Sequence, residues 1–210
     1  MLFGKKNTTK LAKEVSGVLF RHPIGSSIPC KSASFIVLTP PREDVINWIS
    51  AVRQQNKGKA VIVDVSDEIQ RNFSLSYDFA DILVLNPNKN GGINAMDISD
   101  TVSMLDSLLS LRLCYEKYTP VYLRLSNELT PDELNTLLSY SRLSGIDGLA
   151  VQGLDSVRNI LELTQGRIPV IGCTDNPQET IQILDAGASL VELNAGLLAV
   201  KKAVKILEKS

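Results

Sequence analysis

Short, nearly continuous apolar blocks alternate with amphipathic segments along most of this chain. The blocks cover residues 34–39, 60–65, 81–86, 120–125, 148–152, 169–172 and 189–194. They are rich in Val, Ile and Leu and scarcely alternate with polar residues, as expected of strands covered on both faces in a parallel sheet. Between them the apolar period becomes helical. Val45, Ile46, Trp48, Ile49 and Val52 recur at helical spacing, as do Leu134, Leu137 and Leu138, and then Ile181, Ile183 and Leu184. Val102, Leu105, Leu108, Leu109 and Leu113 mark the longest predicted helix, over residues 97–115. Thr130-Pro131 and Asn176-Pro177 each place a capping residue before a proline, the residue that best tolerates the first helical position. Gly145, Gly166 and Gly187 stand where helices need a left-handed residue to end.

This strand–helix alternation predicts a (β/α)8 TIM barrel, an α/β fold, in a single domain over residues 1–210. Seven blocks need an eighth to close the barrel. The segment Leu19-Phe-Arg-His-Pro-Ile-Gly25 supplies it, although Pro23 lacks a backbone donor. Each unit then has roughly 25 residues, which makes the barrel compact against the usual ~250 in total. An open doubly wound sheet is the alternative, weakened because no G-x-G-x-x-G turn follows the first strand. Only residues 26–33 separate the first two strands, too few for the roughly 10–12 that a helical crossover needs. The helix between strands one and two is therefore expected to be missing. Residues 1–18 form an N-terminal extension, in which Leu11, Val15 and Val18 predict a short amphipathic helix over residues 9–19, placed under the barrel floor. Without a first helix, one pair of Phe35/Val37 and Ile36/Leu38 must face outward without its usual cover, so either residues 9–19 fold over it or, as the favoured expectation, a homodimer covers the gap.

Composition narrows the function classes. Apolar residues make up 44% and charged residues 21%, and 22 basic against 23 acidic side chains leave a net charge of −1. No whole-molecule field draws such a chain to nucleic acid or an anionic membrane. No apolar run approaches the ~18 residues of a membrane span. The opening Met-Leu-Phe-Gly-Lys-Lys-Asn is not followed by the apolar core of a signal peptide. Three scattered cysteines, Cys30, Cys114 and Cys173, and one histidine, His22, give no metal-ligand spacing. A reducing cytoplasmic setting with buried, inert thiols is expected, and no metal.

Polar residues at the ends of the predicted strands are the candidate chemistry, because barrel enzymes place their sites there. They are Asp64, Asn86, Arg124, Gln152, Cys173 and Asn194. Arg124 and Asp64 are expected to form a buried ion pair, joined by Glu192 if that side chain points inward. His22 is expected to be structural.

Several stretches, in order, resemble the dihydroorotate dehydrogenase family. The closest is Gly166-Arg-Ile-Pro-Val-Ile-Gly172 followed by Ala186-Gly-Ala-Ser-Leu-Val-Glu-Leu-Asn-Ala-Gly-Leu-Leu198. It is preceded by His22-Pro-Ile-Gly25, Thr39-Pro40, Ala80-Asp-Ile-Leu-Val-Leu-Asn86-Pro-Asn88, Pro120-Val-Tyr-Leu-Arg124-Leu and Gly145-Ile-Asp-Gly148. The resemblance implies a flavin barrel whose loops after strands seven and eight hold the FMN phosphate. On that reading Arg124, Gly172, Cys173, Asn194, Ala195 and Gly196 are the cofactor-binding positions, and Asn86 and Asn88 the substrate-binding ones.

The chain departs from that pattern where the family's chemistry lies. Asn86 runs directly into Pro87-Asn88-Lys89, without the serine or cysteine that takes the C5 proton of dihydroorotate, and only Lys89 or Cys173 is at hand as a substitute. A base must lie within roughly 3 Å of its proton, so no catalytic residue is assigned. Arg124 stands where the family presents a lysine to the flavin, and the two are not equivalent cations. The phosphate loop Gly172-Cys-Thr-Asp-Asn176 is short and carries the repelling Asp175. Asn194-Ala195-Gly196 still offers backbone amides at a helix start. Three functions follow: a barrel of this family that has lost the parent reaction and binds a ligand or acts without catalysis; an FMN-dependent oxidoreductase of pyrimidine biosynthesis; or another barrel acting on a small phosphorylated ligand.

Overall fold

The computed structural model describes residues 11–87, 97–127 and 129–209. An antiparallel hairpin, β1 (Lys13–Val15) and β2 (Val18–Phe20), comes first. Eight parallel strands follow: β3 (Ile24–Ser26), β4 (Phe35–Leu38), β5 (Ala60–Val65), β6 (Ile82–Leu85), β7 (Val121–Arg124), β8 (Gly148–Gln152), β9 (Val170–Thr174) and β10 (Leu190–Leu193). They close in sequence order, with β10 pairing back onto β3. Among the described residues seven helices clothe the barrel: α1 (Val45–Gln55), α2 (Ile69–Ser76), α3 (Ile98–Arg112), α4 (Pro131–Ser144), α5 (Leu154–Thr164), α6 (Pro177–Asp185) and α7 (Leu197–Leu207). The fold is a (β/α)8 TIM barrel, and residues 27–34 connect β3 to β4 without a helix.

Helix boundaries follow local chemistry. Thr130 and Glu133 form a reciprocal capping box with Pro131 in the first turn of α4. Asn176 caps α6 through the amide of Gln178, and Asp97 caps α3 through the amide of Asp100. Gly145, Gly166 and Gly187 all adopt positive φ beyond helix ends.

Strand residues divide by parity between two cores. Ile36, Val61, Val63, Leu83, Leu85, Leu123, Leu149 and Val191 face the helices. Phe35, Val37, Ile62, Val84, Tyr122, Ala150, Ile171, Cys173 and Leu190 fill the barrel interior. Two glycines make room there for aromatic rings. A Cβ at Gly25 would lie 2.2 Å from the Phe35 ring, and one at Gly148 would lie 2.2 Å from the Tyr122 ring.

Among the described residues, 11–19 of the expected N-terminal helix are not helical; residues 9 and 10 lie outside the described residues. Ser16 and Gly17 both have positive φ, 50° and 78°, the geometry that two-residue hairpin turns require. The hairpin closes the floor of the barrel: Val15, Phe20 and Val18 join the interior core. Phe20 meets Phe35 edge-on at 5.4 Å, and Ser16 Oγ hydrogen-bonds the Tyr122 hydroxyl at 2.8 Å. The first barrel strand is accordingly shorter than residues 19–25. Phe20 has left it for the hairpin, and His22 pins the connection by accepting from the Ile24 amide and donating to the Ser32 carbonyl.

The outer faces of β3 and β4 are also covered. Ile36 is 0% exposed against Val45 and Ile49 of α1, and Ile24 packs with Cys30, Ala33 and the α7 residues Val200 and Ala203. The chain's own helices fill the gap from which a second subunit was expected.

Candidate functional site

At the carboxyl ends of the strands the inward-facing residues change from apolar to polar. Asp64 ends the inward row of β5, Arg124 that of β7 and Glu192 that of β10, while Asn86 and Asn194 stand just past β6 and β10. Period-two alternation brings them to one level of the barrel. With Ser27, Val37 and Thr39 they line a cleft of about 260 Å³.

Arg124 organises the floor of this cleft. Its Nη2 lies 2.8 Å from Asp64 Oδ2 and donates to Glu192 Oε2 at 3.0 Å. Its Nη1 donates to Cys173 Sγ at 3.0 Å. The Cys173 thiol in turn donates to Glu192 Oε2 at 3.3 Å, and Asn86 Nδ2 donates to Asp64 Oδ1 at 3.3 Å. Arg124 Nε is buried without a partner. The neighbouring carboxylates hold the Arg124 guanidinium charged despite its burial. Burial and the facing Glu192 push the Cys173 thiol far above its ordinary range, so it stays protonated. The ion pair expected between Arg124 and Asp64 is present, and Glu192 completes a triad.

Other expected positions separate. Gly172 and Cys173 are not in a loop, because β9 runs through Thr174 and leaves only Asp175 and Asn176 before α6. A Cβ at Gly172 would lie 2.4 Å from Ile183 Cγ2 and 3.0 Å from Val157 Cγ2. This glycine therefore lets α5 and α6 approach the sheet. Gln152 ends β8 outside the cleft, its carbonyl accepting from Asn127 Nδ2. Ala195 packs toward the α7 layer, and Gly196 is the N-cap of α7, with no side-chain cap. Cys30 and Cys173 lie in separate cores, both free thiols. Asn88 and Lys89 lie outside the described residues. Ser27 was not singled out from the sequence, although Gly25 faces inward and Ser27 lies two residues further on, the same period that places Asp64 and Glu192.

Among the described residues no group of three or more histidine, cysteine, aspartate or glutamate side chains is arranged for a metal. No helix among them is long and apolar enough to cross a membrane.

Fold and site together define a TIM barrel with a polar cleft at the carboxyl ends of its strands. No protein-family model matches the chain. Its sequence is 24% identical over 161 residues to the dihydroorotate dehydrogenase (quinone) of Aeromonas hydrophila, covering 58% of this chain and 48% of that enzyme. It is 29% identical over 121 residues to the enzyme of the same name from Proteus mirabilis, covering 43% of this chain and 36% of that protein. The chain thus matches half or less of the length of these curated relatives. Among solved structures, a dihydroorotate dehydrogenase from Eimeria tenella in complex with ferulenol superposes with a TM-score of 0.76 at 14% identity, covering 99% of this chain and 86% of that one. A putative phosphonomutase from Burkholderia cenocepacia gives 0.63 at 12% identity, covering 90% of this chain and 94% of that one. The resemblance to the dihydroorotate dehydrogenase family is supported in sequence and in fold.

Proposed function

We propose that this protein is a dihydroorotate dehydrogenase-like barrel that does not perform the flavin-dependent oxidation and instead binds a small ligand at the strand-end cleft. The observation that carries this reading is the Arg124 triad. An arginine fixed by Asp64, Glu192 and Cys173 occupies the strand-end position that the family gives to a flavin-facing lysine.

Three further features support the reading. The cleft of about 260 Å³ falls below the roughly 300–1,000 Å³ of small-molecule and cofactor pockets. Gly172, expected against the FMN phosphate, faces α5 and α6 instead. Proton abstraction needs a base with access to its substrate, and the thiol of Cys173 is fully buried, protonated and bonded to Arg124 and Glu192. The described residues do not fit FMN, and no step is assigned through it.

The test is an assay of dihydroorotate oxidation by the purified full-length chain, supplied with FMN and, in turn, a quinone, fumarate or a nicotinamide acceptor. No turnover above the protein-free rate is expected. Turnover with any acceptor would establish the dehydrogenase reading in its place.

A further inference from the structure

Among the described residues, the charge lining the cleft is unbalanced. Among the described residues lining it, Arg124 is the sole cation, against the carboxylates of Asp64 and Glu192. A single guanidinium nitrogen, Nη2, serves both of them. Cys173 adds no charge, because its thiol stays protonated. Two carboxylates against one guanidinium leave one negative charge in excess, recessed in the mouth of the barrel, where water screens poorly.

The hydrogen-bond inventory locates the excess. Asp64 uses both oxygens, Oδ2 toward Arg124 and Oδ1 toward Asn86. Glu192 accepts both of its hydrogen bonds at Oε2, from Arg124 and from Cys173. Its Oε1 has no partner among the described residues, although the residue is only 4% exposed. A carboxylate oxygen that opens onto a recessed cleft without a protein partner is a strong acceptor for a donor in that cleft. The excess negative charge opposes an anion. Arg124 is already paired with two carboxylates, and its Nε is buried without a hydrogen-bond partner.

Size and polarity complete the description. At ~30 Å³ for each water-sized unit, about 260 Å³ accommodates a molecule of on the order of ten non-hydrogen atoms. Ser27, Asn86 and Asn194 provide neutral hydrogen-bonding groups around it.

Resting on the ligand-binding reading above, we infer that the cleft takes a small hydroxylated organic cation, with its ammonium group against Glu192 Oε1, and discriminates against phosphate and carboxylate anions.

The experiment titrates the thermal unfolding midpoint of the full chain at low ionic strength with four probes: 2-aminoethanol, its neutral isostere 1,2-ethanediol, inorganic phosphate and orotate. Ligand stabilisation rises with concentration over Kd, so the titrations rank the probes. The expected result is apparent binding of 2-aminoethanol at least about tenfold tighter than that of 1,2-ethanediol, with no stabilisation by phosphate or orotate. Glu192→Gln should bring 2-aminoethanol and 1,2-ethanediol to parity, and Asp64→Asn should reduce the preference in the same direction. If either variant fails to fold, the wild-type ranking alone decides. Stabilisation by phosphate or orotate exceeding that by 2-aminoethanol would overturn the inference. So would equal responses to 2-aminoethanol and 1,2-ethanediol, including no response to either. Dihydroorotate turnover, assayed separately, would instead overturn the underlying non-catalytic reading.

Discussion

Replacing Arg124 with methionine should be among the most damaging substitutions in the barrel. The side chain is largely buried and contacts Asp64 at 2.8 Å, Glu192 at 3.0 Å and Cys173 at 3.0 Å. Methionine retains much of the volume but leaves two buried carboxylates facing each other without a cation. Removing one partner of a buried ion pair costs about 3–5 kcal/mol, because the remaining charge stays desolvated. In a chain of this size that corresponds to roughly 6–20 °C in the unfolding midpoint. Urea unfolding of Arg124→Met at pH 7, followed by circular dichroism, measures the loss directly. The pH dependence distinguishes electrostatics from packing. Unpaired buried carboxylates have raised pKa values, so the unfolded state releases their protons first, and the deficit should shrink as the pH falls from about 7 toward 5. Adding Asp64→Asn and Glu192→Gln to Arg124→Met should restore most of the stability. A loss below about 1 kcal/mol in the single variant, or a deficit independent of pH, would refute the reasoning.

Phe20→Ala should cost about 3–5 kcal/mol in urea unfolding, because Phe20 is buried in the barrel floor against Phe35; a loss typical of a surface site would mean that the hairpin does not close the floor. His22 should make stability fall as the pH drops below about 6.5, its unperturbed pKa. Burial lowers the pKa of this histidine in the folded chain, so the unfolded state binds the proton first, and folding is fully favoured only above that range; His22→Gln should remove this part of the pH slope. Of the three cysteines, the exposed Cys114 should react quickly with a thiol reagent in the native protein, and the buried Cys30 and Cys173 only after unfolding; two or three fast thiols would contradict the placement of the cysteines.

The barrel was legible because its strands are continuous apolar blocks and its helices carry their own caps. Thr130-Pro131 and Asn176-Pro177 mark helix starts by chemistry that no tertiary contact overrides. The Arg124–Asp64–Glu192 cluster was legible for a similar reason: a polar residue at the end of an otherwise apolar strand must find a partner at the same level of the barrel. The N-terminal hairpin was not. Leu11, Val15 and Val18 match a helical period, yet Ser16 and Gly17 impose a tight turn, and the barrel floor rewards the extended pairing by burying Val15 and Phe20. Gly172 was ambiguous in another way. A glycine after an apolar run fits a phosphate loop and a close helix–sheet contact equally well, and the positions of Val157 and Ile183 show that the close contact is present. The cover over Ile36 was hidden too, because it comes from a neighbouring helix and not from the missing one.

Equilibrium titration of the purified, full-length chain with FMN, followed by quenching of flavin fluorescence, tests the central claim most directly. An intact flavin site would bind FMN stoichiometrically at micromolar protein and copurify with it as a yellow complex. The Arg124 triad and the outward-facing Gly172 predict a colourless protein with no saturable binding at FMN concentrations up to about 100 μM, an affinity weaker than about −5.5 kcal/mol. Saturable one-to-one binding below that concentration would contradict the account.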